Sequence, residues 1–482
     1  MLSVGGVAKF GVDFASVLSA KLRDGIMFIS EYSGVGAPEE CLHRIVHVAR
    51  EHNVQVGKIR CMRAGEILEP ARRILRAHAS PPVCIFGDVL SRAPPYFVNQ
   101  FKHVHAAHLQ KACALIGDGV ERKEAFKCVG KVFMKRVNGM LQQRATCNFR
   151  PLVAHCYQHG CQCGVIKCRI PGVKGLKIMV LGQSCVDWSS VGKQQGWLGK
   201  TSIIFAEVLA EIMADDYDII IFECTVMFDY DTGLAVLRER YLEQRMHLCP
   251  SQVGVPCLRP RTYSILLRRG VVEWSQPVFA RGVQASFNEL FAQDVSMNGD
   301  SMARAPQWRV DEHVESMATT RGFPERRVSG RRWRPYQLLP PGQRRRLRSQ
   351  ELHLHIDGIV NTAPLIINLM NNRAWSPPQK LSPTLLRNSI LWLMRFQRLC
   401  LPSEHMEMQG FGMHSTGMPG DDLQSSFADE FHALPFQVQR ALAGNTMHTA
   451  SIGLLLMFVL GCTVLVPAES YHDFAPDAEP EQ

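Results

Sequence analysis

Short apolar runs recur along the first part of the chain, and several end in a small or charged residue. Ile26 to Glu31, Val54 to Arg63, Val83 to Phe86, Lys177 to Leu181 and the run that delivers Glu223 each read as a buried strand. Helical spacing fills the gaps between them. A short helix is expected over Phe14 to Arg23 with Asp13 as its N-cap, and another opens near Pro38 and Glu39. After Thr201, the residues Ile204, Phe205, Val208, Leu209, Ile212 and Met213 share one helical face. Strands alternating with helices predict an α/β fold on a mainly parallel sheet, whose ligands gather where the strands end.

The strand ends carry the chemistry. Tyr32, Gly34 and Gly36 follow the first strand and open a helix, so the backbone there can approach a ligand closely. Glu66 follows the second strand, where a carboxylate can accept from both hydroxyls of a ribose or simply favour a helix N-terminus. Asp88 ends the third strand, where it serves a ligand or a turn. Cys185 sits in a loop of small residues beyond Leu181, a position suited to a nucleophile, although a single loop cysteine is more often an inert thiol. Glu223 ends an almost wholly apolar strand, and a carboxylate so placed needs a specific partner. Arg259 and Arg261 precede a further strand, and residues two apart on a strand face the same way, so both guanidiniums are expected in one site.

Taken in order, these stretches resemble the motifs of the cytosine C5 DNA methyltransferases. In GQSCVDWSSVGKQQGWLGKTS the residues Cys185, Trp188, Ser189, Gly192, Lys193, Gly196 and Gly199 match the family's nucleophile loop, while Ser184 and Val186 replace its proline and glutamine. Tyr32, Gly34 and Gly36 match its cofactor loop. Glu223 matches the acidic residue of its Glu-Asn-Val motif, with Cys224 and Thr225 departing. Arg259 and Arg261 match Gln-x-Arg-x-Arg, with Cys257 in place of glutamine, and Gly444 with Asn445 resembles the final Gly-Asn pair that opens a returning helix. The resemblance implies a Rossmann-like S-adenosylmethionine-dependent sheet with a smaller target-recognition domain, and double-stranded DNA as partner. It also implies S-adenosyl-L-methionine as cofactor, held by Tyr32, Gly34, Gly36, Glu66, Asp88 and Asn445, and catalysis by Cys185, Glu223, Arg259 and Arg261. The departures leave two alternatives: an inactive relative that binds DNA, or a methyltransferase acting on transfer RNA.

The domain reading is a catalytic and cofactor-binding domain over 1–268 with an insertion at 90–176, and a basic target-recognition region over 269–428. A returning segment at 429–468 and an acidic tail at 469–482 complete it. Nine arginines (Arg326, Arg327, Arg331, Arg332, Arg334, Arg344, Arg345, Arg346 and Arg348) surround Trp333 and Tyr336, as phosphate contacts or as a basic linker and nuclear import signal. A nuclear location goes with the DNA reading. The net charge of +10 favours a polyanionic partner. Ala441 to Ala468 has no charged residue, long enough for a membrane span, but the helix closing the cofactor pocket is the preferred reading. The sixteen cysteines are spread thinly with no secretory leader visible, so they are expected reduced. Within the insertion, Cys147, Cys156, Cys161, Cys163 and Cys168 beside His155 and His159 are zinc-ligand types. Their spacing is not the paired CxxC of zinc ribbons, so reduced thiols without metal are expected there.

Overall fold

The computed structural model describes residues 14–146, 153–167, 169, 174–190, 192–323, 333–359, 363–371, 377–414 and 424–467. Helix α1 (Phe14–Asp24) leads into β1 (Ile26–Glu31), and the turn at Gly34 and Gly36, with φ of 56° and 85°, opens α2 (Ala37–Glu51). Next come β2 (Ile59–Gly65), α3 (Glu69–Ala77) and β3 (Cys84–Phe86). The second strand starts later than its apolar run suggests. Gly57 N donates to Leu22 O at 2.9 Å, which draws the preceding link onto α1 instead of into the sheet.

The insertion has structure of its own. Helices α4 (Pro95–Gly117) and α5 (Arg122–Thr146) pack together, and a hairpin of β4 (Val153–Cys156) and β5 (Cys161–Gly164) extends the sheet beyond β3. Then follow β6 (Leu176–Gly182), α6 (Ser202–Met213), β7 (Ile219–Cys224), β8 (Tyr241–Leu248) and β9 (Arg261–Arg268). The nine strands run in the order β5-β4-β3-β2-β1-β6-β7-β9-β8. Strands β3, β2, β1, β6 and β7 are parallel, and β9 is antiparallel to both its neighbours. Chain order reverses between β1 and β6, the switch point at which an open sheet opens a crevice. The expected α/β class with a Rossmann-like sheet is borne out.

Beyond β9, β10 (Val272–Trp274) and α7 (Val283–Phe291) stay with the main core through Trp274, Phe287 and Phe291. A smaller lobe follows, with α8 (Gln307–Thr320), α9 (Pro341–Ile356) and the antiparallel strands β11 (Ile366–Asn368), β12 (Leu391–Leu393) and β13 (Arg398–Leu399). Leu347, Ile367, Trp392 and Leu399 are buried in one of its cores. The chain returns through α10 (Phe436–Asn445) and α11 (Thr449–Cys462), and β14 (Thr463–Leu465) pairs with β10.

Alternation along the central strands divides the core in two. Ile178, Val180, Ile219 and Ile221 face a cluster with α1, α2, α7 and α11, while Met179, Leu181, Ile220 and Phe222 face one with α4, α5 and α6. Helix α6 departs from its predicted single apolar face, because it lies between sheet and insertion and is buried almost all round. Its Glu207 is tolerated there by two hydrogen bonds from Arg144, at 2.5 and 2.9 Å.

The charge-free C-terminal run is not one span. Residues 446–448 break it, and the 14 residues of α11 reach roughly 21 Å, short of the ~30 Å apolar thickness of a bilayer. Ile452, Leu455, Leu456, Phe458, Val459 and Leu460 fill the main core instead. The Gly444–Asn445 pair therefore closes α10 and does not open the returning helix, which begins at Thr449.

Candidate active site

The loop after β1 is organised by Glu66. Its Oε2 accepts from Gly34 N and its Oε1 from Leu68 N, both at 2.8 Å, so one carboxylate ties the first strand's loop to the second's. Burial lifts its pKa above the ordinary carboxyl range, against the pull of those two amides. Tyr32 sits in the left-handed region at φ 54°, and burial raises its phenol well above its usual value. Asp88 caps the turn after β3, its Oδ1 accepting from Leu90 N at 3.0 Å. Gly36 has a different reason from the one its motif suggests. A Cβ there would lie 2.7 Å from His78 Nε2 and 2.9 Å from Leu75 Cδ2, so the protein's own side chains forbid one before any ligand does.

Beneath this loop lies a group of four charges that the strand pattern did not announce. Glu31, the last residue of β1, accepts from Arg92 Nη1 and Nη2 at 2.9 Å each, and Arg63 Nη2 lies 2.9 Å from its Oε1. Arg63 Nη2 also donates to Glu211 Oε2 at 3.0 Å, and Arg92 Nε lies 3.0 Å from Glu211 Oε1. All four side chains are fully buried. Two arginines against two carboxylates neutralise one another, which makes the burial tolerable. The only local signal was an acidic residue ending an apolar strand, the same signal that Glu223 gives.

Across the switch point, β6 and β7 deliver Cys185 and Glu223. Gly182 lies opposite Glu223 in the ladder, and Gln183 N donates to Glu223 O at 2.9 Å, so the Cys185 loop starts beside that residue. The loop folds back on itself: the Cys185 carbonyl accepts from Trp188 N at 3.0 Å and Ser189 N at 2.8 Å. Asp187 secures its far end, its Oδ2 accepting from Thr201 N at 3.1 Å and Thr201 Oγ1 at 2.8 Å. A side chain on Gly199 would begin 2.1 Å from the Asp187 carboxyl carbon, which accounts for that glycine. Arg261, at the start of β9, brings Nε to 2.8 Å from Glu223 Oε1. Burial works against the Arg261 charge, but Glu223 and then the Cys185 thiol more than offset it, and its pKa stands above the usual arginine value. Glu223 Oε1 nonetheless has no hydrogen-bond partner, since Arg261 Nε approaches it off the hydrogen-bonding direction.

Arg259 lies close enough to Arg261 and Glu223 to feel both charges, but its hydrogen bonds go elsewhere. It precedes β9, where strand alternation does not apply, and donates to Leu385 O at 3.2 Å and Thr446 O at 2.7 Å. Burial and the neighbouring Arg261 push its pKa down to about 10. It thus joins the smaller lobe to the returning segment. That segment closes the site: Asn445 O and Thr446 lie over Gly34, and Met447 Cε is 2.6 Å from where a Gly182 Cβ would be. Asn445 itself is exposed and contributes its carbonyl to this contact. Buried polar atoms without hydrogen-bond partners are spread through the described residues, and those on the loops and strands flanking the crevice include Tyr32 OH, Gln183 Oε1, Glu223 Oε1 and Thr446 Oγ1. Beside the Cys185 loop, Lys123, Lys127 and Lys131 of α5 line a groove of about 330 Å³ with Trp188 and Trp197, together with Asp187 and Asp229.

No family model and no curated protein matches this chain. Among solved structures, it is similar to the Entamoeba histolytica methyltransferase EhMeth at 10% identity and a TM-score of 0.43, over 90% of this chain and 98% of that one. A mutant of Spodoptera frugiperda DNMT2 gives 11% and 0.40, over 90% and 99%. The S. pombe Dnmt2 methyltransferase gives 13% and 0.41, over 90% and 98%. Superpositions this loose carry no argument, and the site stands on its own geometry.

Proposed function

We propose that this protein is a nucleic-acid cytosine C5 methyltransferase that uses S-adenosyl-L-methionine, with double-stranded DNA as its substrate. The observation that carries the reading is the convergence of the Cys185 loop, Glu223 and Arg261 at one edge of the sheet, across the switch point from the Gly34–Glu66–Asp88 loops. The unpartnered oxygens of Tyr32, Gln183 and Thr446 fit a polar cofactor between them, with Glu66 and Asp88 holding its ribose and adenine ends. When bound, S-adenosylmethionine supplies the methyl group.

The chain's own residues do the rest. Cys185 as thiolate adds to C6 of a cytosine turned out of its helix, and electron density moves toward C5. Glu223 donates a proton to N3, which neutralises the charge developing on the ring and leaves C5 nucleophilic, while Arg261 both orients Glu223 and donates to the base oxygen. A solvent base takes the C5 proton, the Cys185 thiolate leaves C6, and N3 returns its proton to Glu223, which restores the ring. Arg259 acts at a distance from the base by fixing the segment that closes the pocket. Lys123, Lys127 and Lys131 supply a basic track beside Trp188 for the phosphate backbone.

Tritium transfer from labelled donor to duplex DNA and to transfer RNA tests the reading. Cys185→Ala is expected to abolish transfer while leaving donor affinity unchanged, since the thiol acts on the base. DNA carrying 5-fluorocytosine is expected to trap the wild type covalently. Label appearing in transfer RNA alone would move the substrate assignment, and transfer that survives Cys185→Ala would remove the nucleophile.

A further inference from the structure

We infer that the insertion hairpin carries a structural zinc site formed by Cys84, Cys156, His159 and Cys163. The cysteine-rich stretch of the insertion lacks a tetrahedral ligand set by its own spacing, and the missing member comes from far upstream. Strand β4 pairs antiparallel to β3 with Cys156 opposite Phe86, which brings Cys84 of β3 beside the hairpin. His159 sits in the hairpin turn and directs Nδ1 toward three sulfurs, at 3.7 Å from Cys84, 3.4 Å from Cys156 and 3.3 Å from Cys163. All four ligand atoms lie within 4.8 Å of one another. Zinc bonds of about 2.3 Å to sulfur and about 2.0 Å to nitrogen at tetrahedral angles put S and N about 3.5 Å apart, the mean of what is found. Three sulfurs with one imidazole select zinc over magnesium or calcium.

The surroundings suit the charge. Three thiols losing their protons to solvent and one Zn²⁺ leave a single net negative charge. Lys167 Nζ lies 3.1 Å from Cys84 Sγ to meet it, the kind of outer contact that metal sites use. The hairpin joins the main sheet through the single register pair Phe86–Cys156, and the small cluster beneath it holds Cys84, Phe86, Ala154, Cys156 and Val165 with two partly buried neighbours, so a metal would add a tie between β3 and the hairpin. Its turn also abuts the cofactor side. Tyr157 packs its ring under the Arg72 guanidinium at 3.9 Å and against Gly87, next to Asp88. The zinc site therefore buttresses the wall beside Asp88, a consequence that rests on the proposed cofactor reading, while metal binding itself does not.

Metal content of the full-length protein, purified from zinc-supplemented medium and desalted, gives the first test. About one zinc per chain is expected, with near-total loss in Cys84→Ser and none in Cys128→Ser, whose exposed thiol lies on α5. Metal-free wild type, or zinc retained in Cys84→Ser, overturns the site. If Cys84→Ser does not fold, cobalt(II) added to chelator-stripped wild type decides instead: visible bands of tetrahedral thiolate coordination, displaced by zinc, support the site, and their absence overturns it. Donor affinity of the stripped protein is expected to fall severalfold and to recover with zinc. Unchanged affinity would remove the buttress even with metal bound.

Discussion

Glu31 is the last residue and Glu223 the last but one of two buried parallel strands at the same edge of one sheet, yet the protein treats them in opposite ways. Glu31 is filled by Arg92 and Arg63, which hold its pKa below the ordinary carboxyl range although burial pushes the other way. Glu223 faces one arginine and keeps an oxygen without a hydrogen-bond partner. An open oxygen alone does not mark a site, since Glu211 Oε1 within the buried tetrad also lacks a hydrogen-bond partner; Glu223 is set apart by having a single arginine partner at the start of the Cys185 loop. The difference separates scaffold from site more sharply than burial does, since both side chains are buried.

The largest test of the contrast exchanges charge for amide at both positions. Glu31→Gln leaves two buried arginines short of a partner and is expected to cost about 3–5 kcal/mol of stability, read as a large drop in denaturant midpoint. Glu223→Gln is expected to shift the midpoint far less and to slow methyl transfer by about 10²–10⁴-fold. Equal midpoint losses would erase the distinction between strut and site.

A smaller effect tests the opposite side of the crevice. Asp88→Ala removes an acceptor next to the adenine end of the proposed pocket, and calorimetry is expected to show donor binding weaker by about 1–3 kcal/mol. If affinity holds, Asp88 is the cap of its turn and nothing more, a strut like Glu31.

The smallest effect concerns the smaller lobe. Of the arginine cluster, Arg326, Arg327, Arg331 and Arg332 lie outside the described residues. Arg346 Nη1 donates to Leu369 O at 2.6 Å, and Arg348 hydrogen-bonds Tyr336, so these two are partly committed to the fold. Replacing Arg344 and Arg345 with Gln is expected to flatten the slope of log affinity against log salt by about 0.9 for each phosphate no longer engaged, equally on unrelated duplexes. An unchanged slope would falsify DNA binding through this helix.

Much of the candidate site is legible in the sequence because its signals are local. An apolar run ending in Cys185 or Glu223 names both the strand and the edge where its last residue emerges, and Gly34 with Gly36 marks a turn whichever fold surrounds it. Arg259 escapes the strand argument for an equally local reason: two-residue alternation holds only inside a strand, and β9 begins at Arg261. The Gly444–Asn445 pair ends one helix and does not start the next, a placement invisible to composition, which does not show the break at residues 446–448.

Hydrophobic periodicity, which depends on neighbours a few residues apart, is enough to determine the α/β class, most strand positions and the residues at their ends. Only the folded chain decides which charges meet. Arg63 and Glu211 are 148 residues apart in sequence, and Arg259 and Thr446 are 187 apart. Cys84 joins the hairpin cysteines through a strand pairing that no spacing encodes. Burying such groups is costly until their partners arrive, so their roles are properties of the packed sheet and not of any stretch of sequence.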